Sequence, residues 1–259
     1  MASAASNLRG AMTSNGNARF NDEAASWDAR PFVHEASKFA AEAILEKTKT
    51  LKTAPQQVLE IGCGTGILSF LIAPHVARVV AVDAAEGMID VLKQKLQRPE
   101  APKNIVPVAV LLEDPEDRAL PPTDGGEPEG GRQKFDLITS HLVLHHIEDL
   151  RAVLSTMLRC LAPGGTVMLT DFEDFGPEAK RFHPAGRMAG VERHGIHAQN
   201  MADLMEQVGF VGVDVGAAWT MSKKVERFDG EFKDGGIARP ETGETLKFPF
   251  VLCYGERSS

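Results

Sequence analysis

The chain has 259 residues, 43% of them hydrophobic, with 28 Lys and Arg against 36 Asp and Glu for a formal net charge of −8. This suffices for one α/β core, and an acidic balance without a basic run argues against a nucleic-acid partner. Three scattered cysteines, Cys63, Cys160 and Cys253, suit buried free thiols in a reducing compartment, and no apolar run reaches bilayer length or forms a secretory leader.

Met1 to Arg19 is rich in Ala, Ser, Asn and Gly and has no acid before Asp22. We read residues 1–21 as a disordered tail and 22–259 as a single domain. A mitochondrial transit peptide shares the tail's composition, so the expected compartment is cytoplasmic with the mitochondrion as the alternative. A helix is expected over 28–50, with Asp28 as its cap, Pro31 in its first turn, and Val33, Ala36, Ala40, Ala43 and Ile44 at helical spacing. Phe20, Trp27 and Phe32 are expected to pack this helix onto the core.

Val58, Leu59 and Ile61 form a buried parallel strand, Gly62, Gly64 and Gly66 a tight turn, and Ile67 to Ala73 the start of a helix. Strand, glycine turn and helix form a nucleotide-binding plan, in which backbone N–H groups and the helix N-terminus meet the ligand's polar groups. The spacing is G-x-G-x-G rather than the G-x-G-x-x-G of dinucleotide dehydrogenases. Glu60 stands two residues before the first glycine, where it would repel a pyrophosphate but tolerate a cationic ligand. Asp83 ends the next apolar run, Val79 to Val82, placed to accept both hydroxyls of a ribose.

Ala85 to Leu96 reads as an amphipathic helix and Ile105 to Leu112 as a third strand ending in Glu113 and Asp114. Pro115 to Gln133 turns to Pro, Gly, Asp and Glu, the composition of a flexible surface loop. Phe135 to Thr139 is a fourth strand, followed by Ser140, His141, His145 and His146. A helix runs from Asp149 to Leu161, and Gly164-Gly165 leads into a fifth strand, Thr166 to Thr170, closing on Asp171. A helix through Met201, Leu204, Met205 and Val208 precedes strands at Val211 to Trp219 and Lys247 to Tyr254.

With the E-x-G-x-G-x-G segment, the acid at Asp83, the stretch Phe135 to Asp149 and the turn Leu161 to Thr166, the sequence resembles the class I S-adenosylmethionine-dependent methyltransferases. It is most similar to small-molecule enzymes of the ubiquinone-biosynthesis type and their secondary-metabolism relatives. The resemblance covers residues 55–172 closely and the C-terminal strands more loosely. It implies a doubly wound, mostly parallel seven-stranded α/β sheet whose last strand is antiparallel, with a lid helix (28–50), a cofactor core (55–172) and acceptor-side elements (173–259). The implied cofactor is S-adenosyl-L-methionine, held by Glu60, Gly62, Cys63, Gly64, Gly66, Asp83, Ala84, Met88, Glu113, Asp114, Ser140 and His141. Asp114 takes the place of the family acid that accepts the adenine amino group. The implied partner is a small-molecule acceptor; the sequence leaves its methylated atom and the oligomeric state open.

Methyl transfer is an in-line displacement, so a base is needed only where the acceptor must lose a proton. His141, at the carboxyl edge of the sheet, is the candidate base. Adjacent helical residues cannot both face one site, so at least one of His145 and His146 is expected at the surface or as a cap. No carboxylate or cysteine completes a metal set with His141, His145 and His146, and no metal is expected. The acceptor wall is expected from the loop Glu173 to His197, joined by Trp219, Met221 and Phe228 from a long connection, Thr220 to Leu246. A cofactor-binding regulatory subunit and a nicotinamide-dependent oxidoreductase are the competing readings.

Overall fold

The computed structural model describes residues 18–123, 130–232, 238–239 and 241–259. It contains α1 (Pro31–Thr48), β1 (Gln57–Ile61), α2 (Ile67–Ile72), β2 (Arg78–Asp83), α3 (Glu86–Leu96), β3 (Ile105–Ala109), β4 (Phe135–His141), α4 (Leu150–Cys160), β5 (Leu161–Phe172), α5 (Ala198–Val208), β6 (Val211–Val225) and β7 (Glu244–Glu256). The seven strands form one sheet in the order β3-β2-β1-β4-β5-β7-β6. Strands β1 to β5 pair in parallel, and β7 lies antiparallel between β5 and β6. The order reverses between β1 and β4, where an α/β sheet opens a crevice at its carboxyl edge.

The strand sequences suit this position. Val79, Val80, Ala81 and Val82 of β2 are all buried, and they alternate between two apolar clusters, as the two-residue period of a strand covered on both faces requires. The clusters are closed by α4 and α5 on one side and by α1, α2 and α3 on the other. Cys63, Cys160 and Cys253 are buried free thiols. Among the described residues, no helix is long and apolar enough to cross a membrane.

Several elements differ from expectation. Residues 18–21, expected in the tail, begin a helix that runs through residue 27. Its Phe20 and Trp27 pack on Ala85 and Met88 of the α3 region, and Asn21 Oδ1 accepts the Gly87 N–H at 2.7 Å. Asp28 does not cap α1, whose cap position is Arg30; its carboxylate instead accepts the Thr65 hydroxyl and the Lys95 ammonium. Strand β3 ends at Ala109, three residues before Leu112. The segment 115–133 is pinned at both ends in its described part. Leu120 is buried in the core, Pro122 bridges Arg132, and Glu116 accepts the Arg132 N–H at 2.9 Å. Residues 124–129 lie outside the described residues. Strand β6 runs six residues past Trp219, so the connection to β7 is shorter than its composition implies, and Gly235-Gly236 within it also lie outside the described residues.

Candidate functional site

A cavity of about 1390 Å³ opens at the carboxyl edge of the sheet, roofed by the 18–27 helix and the start of α1. Drug-sized ligands occupy pockets of roughly 300–1,000 Å³, so this volume accommodates two ligands side by side.

Glycines form one end. Gly62, Gly64 and Gly66 all have positive φ, which an L side chain resists. Their roles differ. A Cβ on Gly62 would stand 2.4 Å from Val143 Cγ2, and one on Gly66 would stand 2.5 Å from Leu92 Cδ1, so these two permit close packing. At Gly64 the nearest atom would be Trp27 Nε1, 4.0 Å away. Gly64 thus keeps open a place that a ligand can fill. Glu60, Gly62, Cys63, Gly64, Asp83, Ala84, Met88 and Glu113 line this end, and Gly66, Asp114 and Ser140 do not.

Asp83 Oδ2 accepts the Gly64 N–H and Oδ1 the Ala85 N–H, both at 2.8 Å; burial raises its pKa, opposed by these backbone donors. The Glu60 carboxylate is buried against the Ser69 hydroxyl, and desolvation raises its pKa to about 8. A cationic ligand group would restore its charge. Ser140 is buried in β4 and donates to the Ile61 carbonyl at 2.8 Å, tying β4 to β1. Asp114 is exposed and accepts the Glu116 N–H, so it closes a turn instead of facing the cavity. Among acids near β3, Glu113 alone reaches the lining.

The other end carries histidines. His141 lines the cavity with Nδ1 2.9 Å from Thr170 Oγ1 and Nε2 buried without a partner. Burial lowers its pKa to about 4, which keeps the ring neutral but makes it a weak base. After His141 the chain turns through Leu142, whose φ of 56° is left-handed, into a short 3₁₀ turn at Leu144–His146. This turn corrects the helical reading of the two histidines: both line the cavity, with ring centroids 3.9 Å apart. His145 Nδ1 lies 2.8 Å from Asp171 Oδ1, and its Nε2 is buried without a partner. His146 Nδ1 lies 2.6 Å from the Gly190 carbonyl. Desolvation, reinforced by His145, lowers the His146 pKa to about 3.

The loop 173–197 folds over this turn. Arg193 donates to the carbonyls of Leu144, Ile147 and Glu148, and the His145 carbonyl accepts the N–H groups of Glu192 and Arg193. This brings in His183, whose ring centroid lies 5.0 Å from His145 and 5.7 Å from His146. Burial holds the His183 pKa well below its usual value. Neither Asp171 nor His183 is singled out by sequence spacing; the signal for Asp171 was its place at the end of β5. His194 and His197 do not line the cavity, and His197 caps α5.

The hairpin contributes different residues from those expected. Met221 is buried against Phe248 and Phe250, Trp219 stacks on Phe250, and Phe228 is 65% exposed. None of the three lines the cavity; Ser222, Lys223, Lys224 and Phe232 do. Desolvation lowers the Lys223 pKa to about 8, and its ammonium donates to the Phe182 carbonyl at 2.8 Å. Chemically, one end offers carboxylates and glycine backbone, and the other offers neutral imidazoles among cations.

The family described as "Methyltransferase domain" matches residues 32–215. The chain is 27% identical over 203 residues to an uncharacterized methyltransferase of Schizosaccharomyces pombe, covering 75% of this chain and 69% of that one. It is 29% identical over 178 residues to the malonyl-[acyl-carrier protein] O-methyltransferase of Halorhodospira halophila, covering 66% of this chain and 54%, about half, of that protein. In fold it is similar to the Haemonchus contortus phosphoethanolamine N-methyltransferase 2 in complex with S-adenosyl-L-methionine, with a TM-score of 0.57 at 14% identity over 93% of this chain and 60% of that one.

Proposed function

The chain belongs to the methyltransferase domain family, and we propose that it methylates a small, partly apolar organic acceptor by in-line transfer from S-adenosylmethionine. Bound in this cavity, the cofactor would supply an electrophilic sulfonium methyl group to an acceptor lone pair. Glu60 would take the cationic methionine end, Gly64 would leave room for the ligand's close approach to the backbone, Asp83 would accept from the ribose, and Met88 would pack against the base. Phe20 and Trp27 cover the site and keep water out, which strengthens every polar contact inside it. The acceptor occupies the end walled by Phe182, His183, Arg187, Lys223 and the histidine turn.

The observation that carries this reading is the continuity of the cavity from Gly64 to His183, with a volume sufficient for cofactor and acceptor together. Most of the catalysis then lies in holding the nucleophile in line with the methyl carbon. His141 has a neutral ring and a free Nε2, and it serves better as a polar wall than as a strong base. A screen of small acids, phenols and amines with methyl-labelled cofactor tests the proposal. Label should enter a small acceptor, and label in protein or nucleic acid alone would refute it.

A further inference from the structure

We propose that His145, His146 and His183 bind a divalent transition-metal ion whose open coordination positions face the acceptor end of the cavity. The three residues present ligand nitrogens within 4.8 Å of one another. A zinc–imidazole bond of about 2.1 Å places each ring centroid about 3.2 Å from the ion, so three rings on one tetrahedral or octahedral ion have centroids about 4.5–5.2 Å apart. The observed separations of 3.9, 5.0 and 5.7 Å bracket that range, and small side-chain rotations complete the set.

The outer contacts match a metal site independently. Metal-bound histidines usually give their second ring N–H to a carboxylate or a backbone carbonyl, which fixes the tautomer that ligates. His145 Nδ1 meets Asp171 Oδ1 at 2.8 Å, and His146 Nδ1 meets the Gly190 carbonyl at 2.6 Å. Both Nε2 atoms are thereby left as ligands, and that of His145 is buried with no other partner. Phe172 and Phe182, stacked at 3.9 Å, pack against the rings and dry the site. A set of three histidines leaves at least one position open, as catalytic zinc sites do, and imidazole ligands suit zinc, iron, nickel and copper.

The surroundings also select what fills the open position. Arg19 and Lys223 line the same cavity as His183, and Asp171 is the carboxylate hydrogen-bonded to the cluster. A dication among these cations is best neutralised by an anionic oxygen, so the acceptor class is a carboxylate or a phenol. A phenol or carboxylic acid would release its proton to solvent on taking the open position, leaving an oriented oxygen nucleophile. This last step rests on the methyltransferase reading, and the ion site itself does not.

The test uses the untagged full chain, stripped with chelator, titrated with Co²⁺ by visible absorption and with Zn²⁺ by calorimetry. One equivalent should saturate the protein, with a d–d band of the intensity that a tetrahedral or five-coordinate ion gives. His183→Ala and His146→Ala should each weaken binding at least about tenfold, Asp171→Asn about tenfold, and the surface variant His75→Ala not at all. His183→Gln replaces the alanine variant if that variant fails to fold. Absence of saturable Co²⁺ binding, or binding that both ligand variants retain, overturns the proposal. Cofactor binding measured in parallel separates the two readings, because its failure refutes the methyltransferase assignment and leaves the metal result standing.

Discussion

The backbone N–H of Gly64 donates to Asp83 Oδ2 at 2.8 Å, tying the turn after β1 to the acid that ends β2. Asp83 therefore frames the glycine turn and, on the function proposed above, also meets the ribose. Asp83→Ala should weaken S-adenosylmethionine by about a hundredfold or more, since each of its two hydrogen bonds to the ribose contributes about 1.5–3 kcal/mol. It should also lower the melting temperature, because the Gly64 and Ala85 N–H groups lose their acceptor. Calorimetry beside a thermal melt reads both, and unaltered affinity would remove Asp83 from the cofactor site.

The three glycines should separate by variant. Gly64→Ala should keep the fold at a cost of about 1–2 kcal/mol for its positive φ while losing cofactor binding, because its side chain would point into the open cavity. Gly62→Ala and Gly66→Ala should lose stability first, through contact with Val143 and Leu92. Circular dichroism with a binding titration distinguishes these outcomes, and full cofactor affinity in Gly64→Ala would contradict the assignment.

Glu60 predicts a pH dependence of stability. Its folded pKa of about 8 lies above the ordinary 4.5, so the folded chain holds a proton that the unfolded chain releases between those values. The associated stabilisation is complete below about pH 4.5 and is lost as pH rises through 8, a range worth a few kcal/mol. Melting temperature should fall between about pH 5 and pH 9 more steeply in the wild type than in Glu60→Gln. Parallel curves would show that another group is responsible.

The hairpin residues should divide in the same way. Met221→Ala should cost about 2–5 kcal/mol as a buried truncation, and Phe228→Ala should stay within about 0.5 kcal/mol. Lys223→Met should raise the acceptor KM and leave cofactor affinity unchanged, since Lys223 lines the cavity and donates to the Phe182 carbonyl, away from the glycine turn. A denaturant melt and steady-state kinetics check these, and an acceptor KM raised by Phe228→Ala would return that residue to the pocket.

The glycine-turn end of the cavity was legible in the sequence because its signals are local. A strand, a glycine turn and an acid about twenty residues on are fixed by short-range backbone geometry. The histidine end was not legible for two reasons. Helical spacing would turn His145 and His146 apart, whereas the left-handed Leu142 leads into a 3₁₀ turn from which both line the cavity. His183 joins them only through the hydrogen bonds that fold the loop 173–197 onto that turn, and such contacts leave no periodic trace. Asp114 and Ser140 show the same limit: spacing alone does not reveal that one closes an exposed turn and the other ties β4 to β1.

The most direct test of the account is a calorimetric titration of the full chain with S-adenosylmethionine, with a nicotinamide dinucleotide as the competitor ligand. One saturable site for S-adenosylmethionine, absent in Gly64→Val protein that still melts cooperatively, is the predicted result. No binding in the wild type, preference for the dinucleotide, or undiminished binding in Gly64→Val would contradict it.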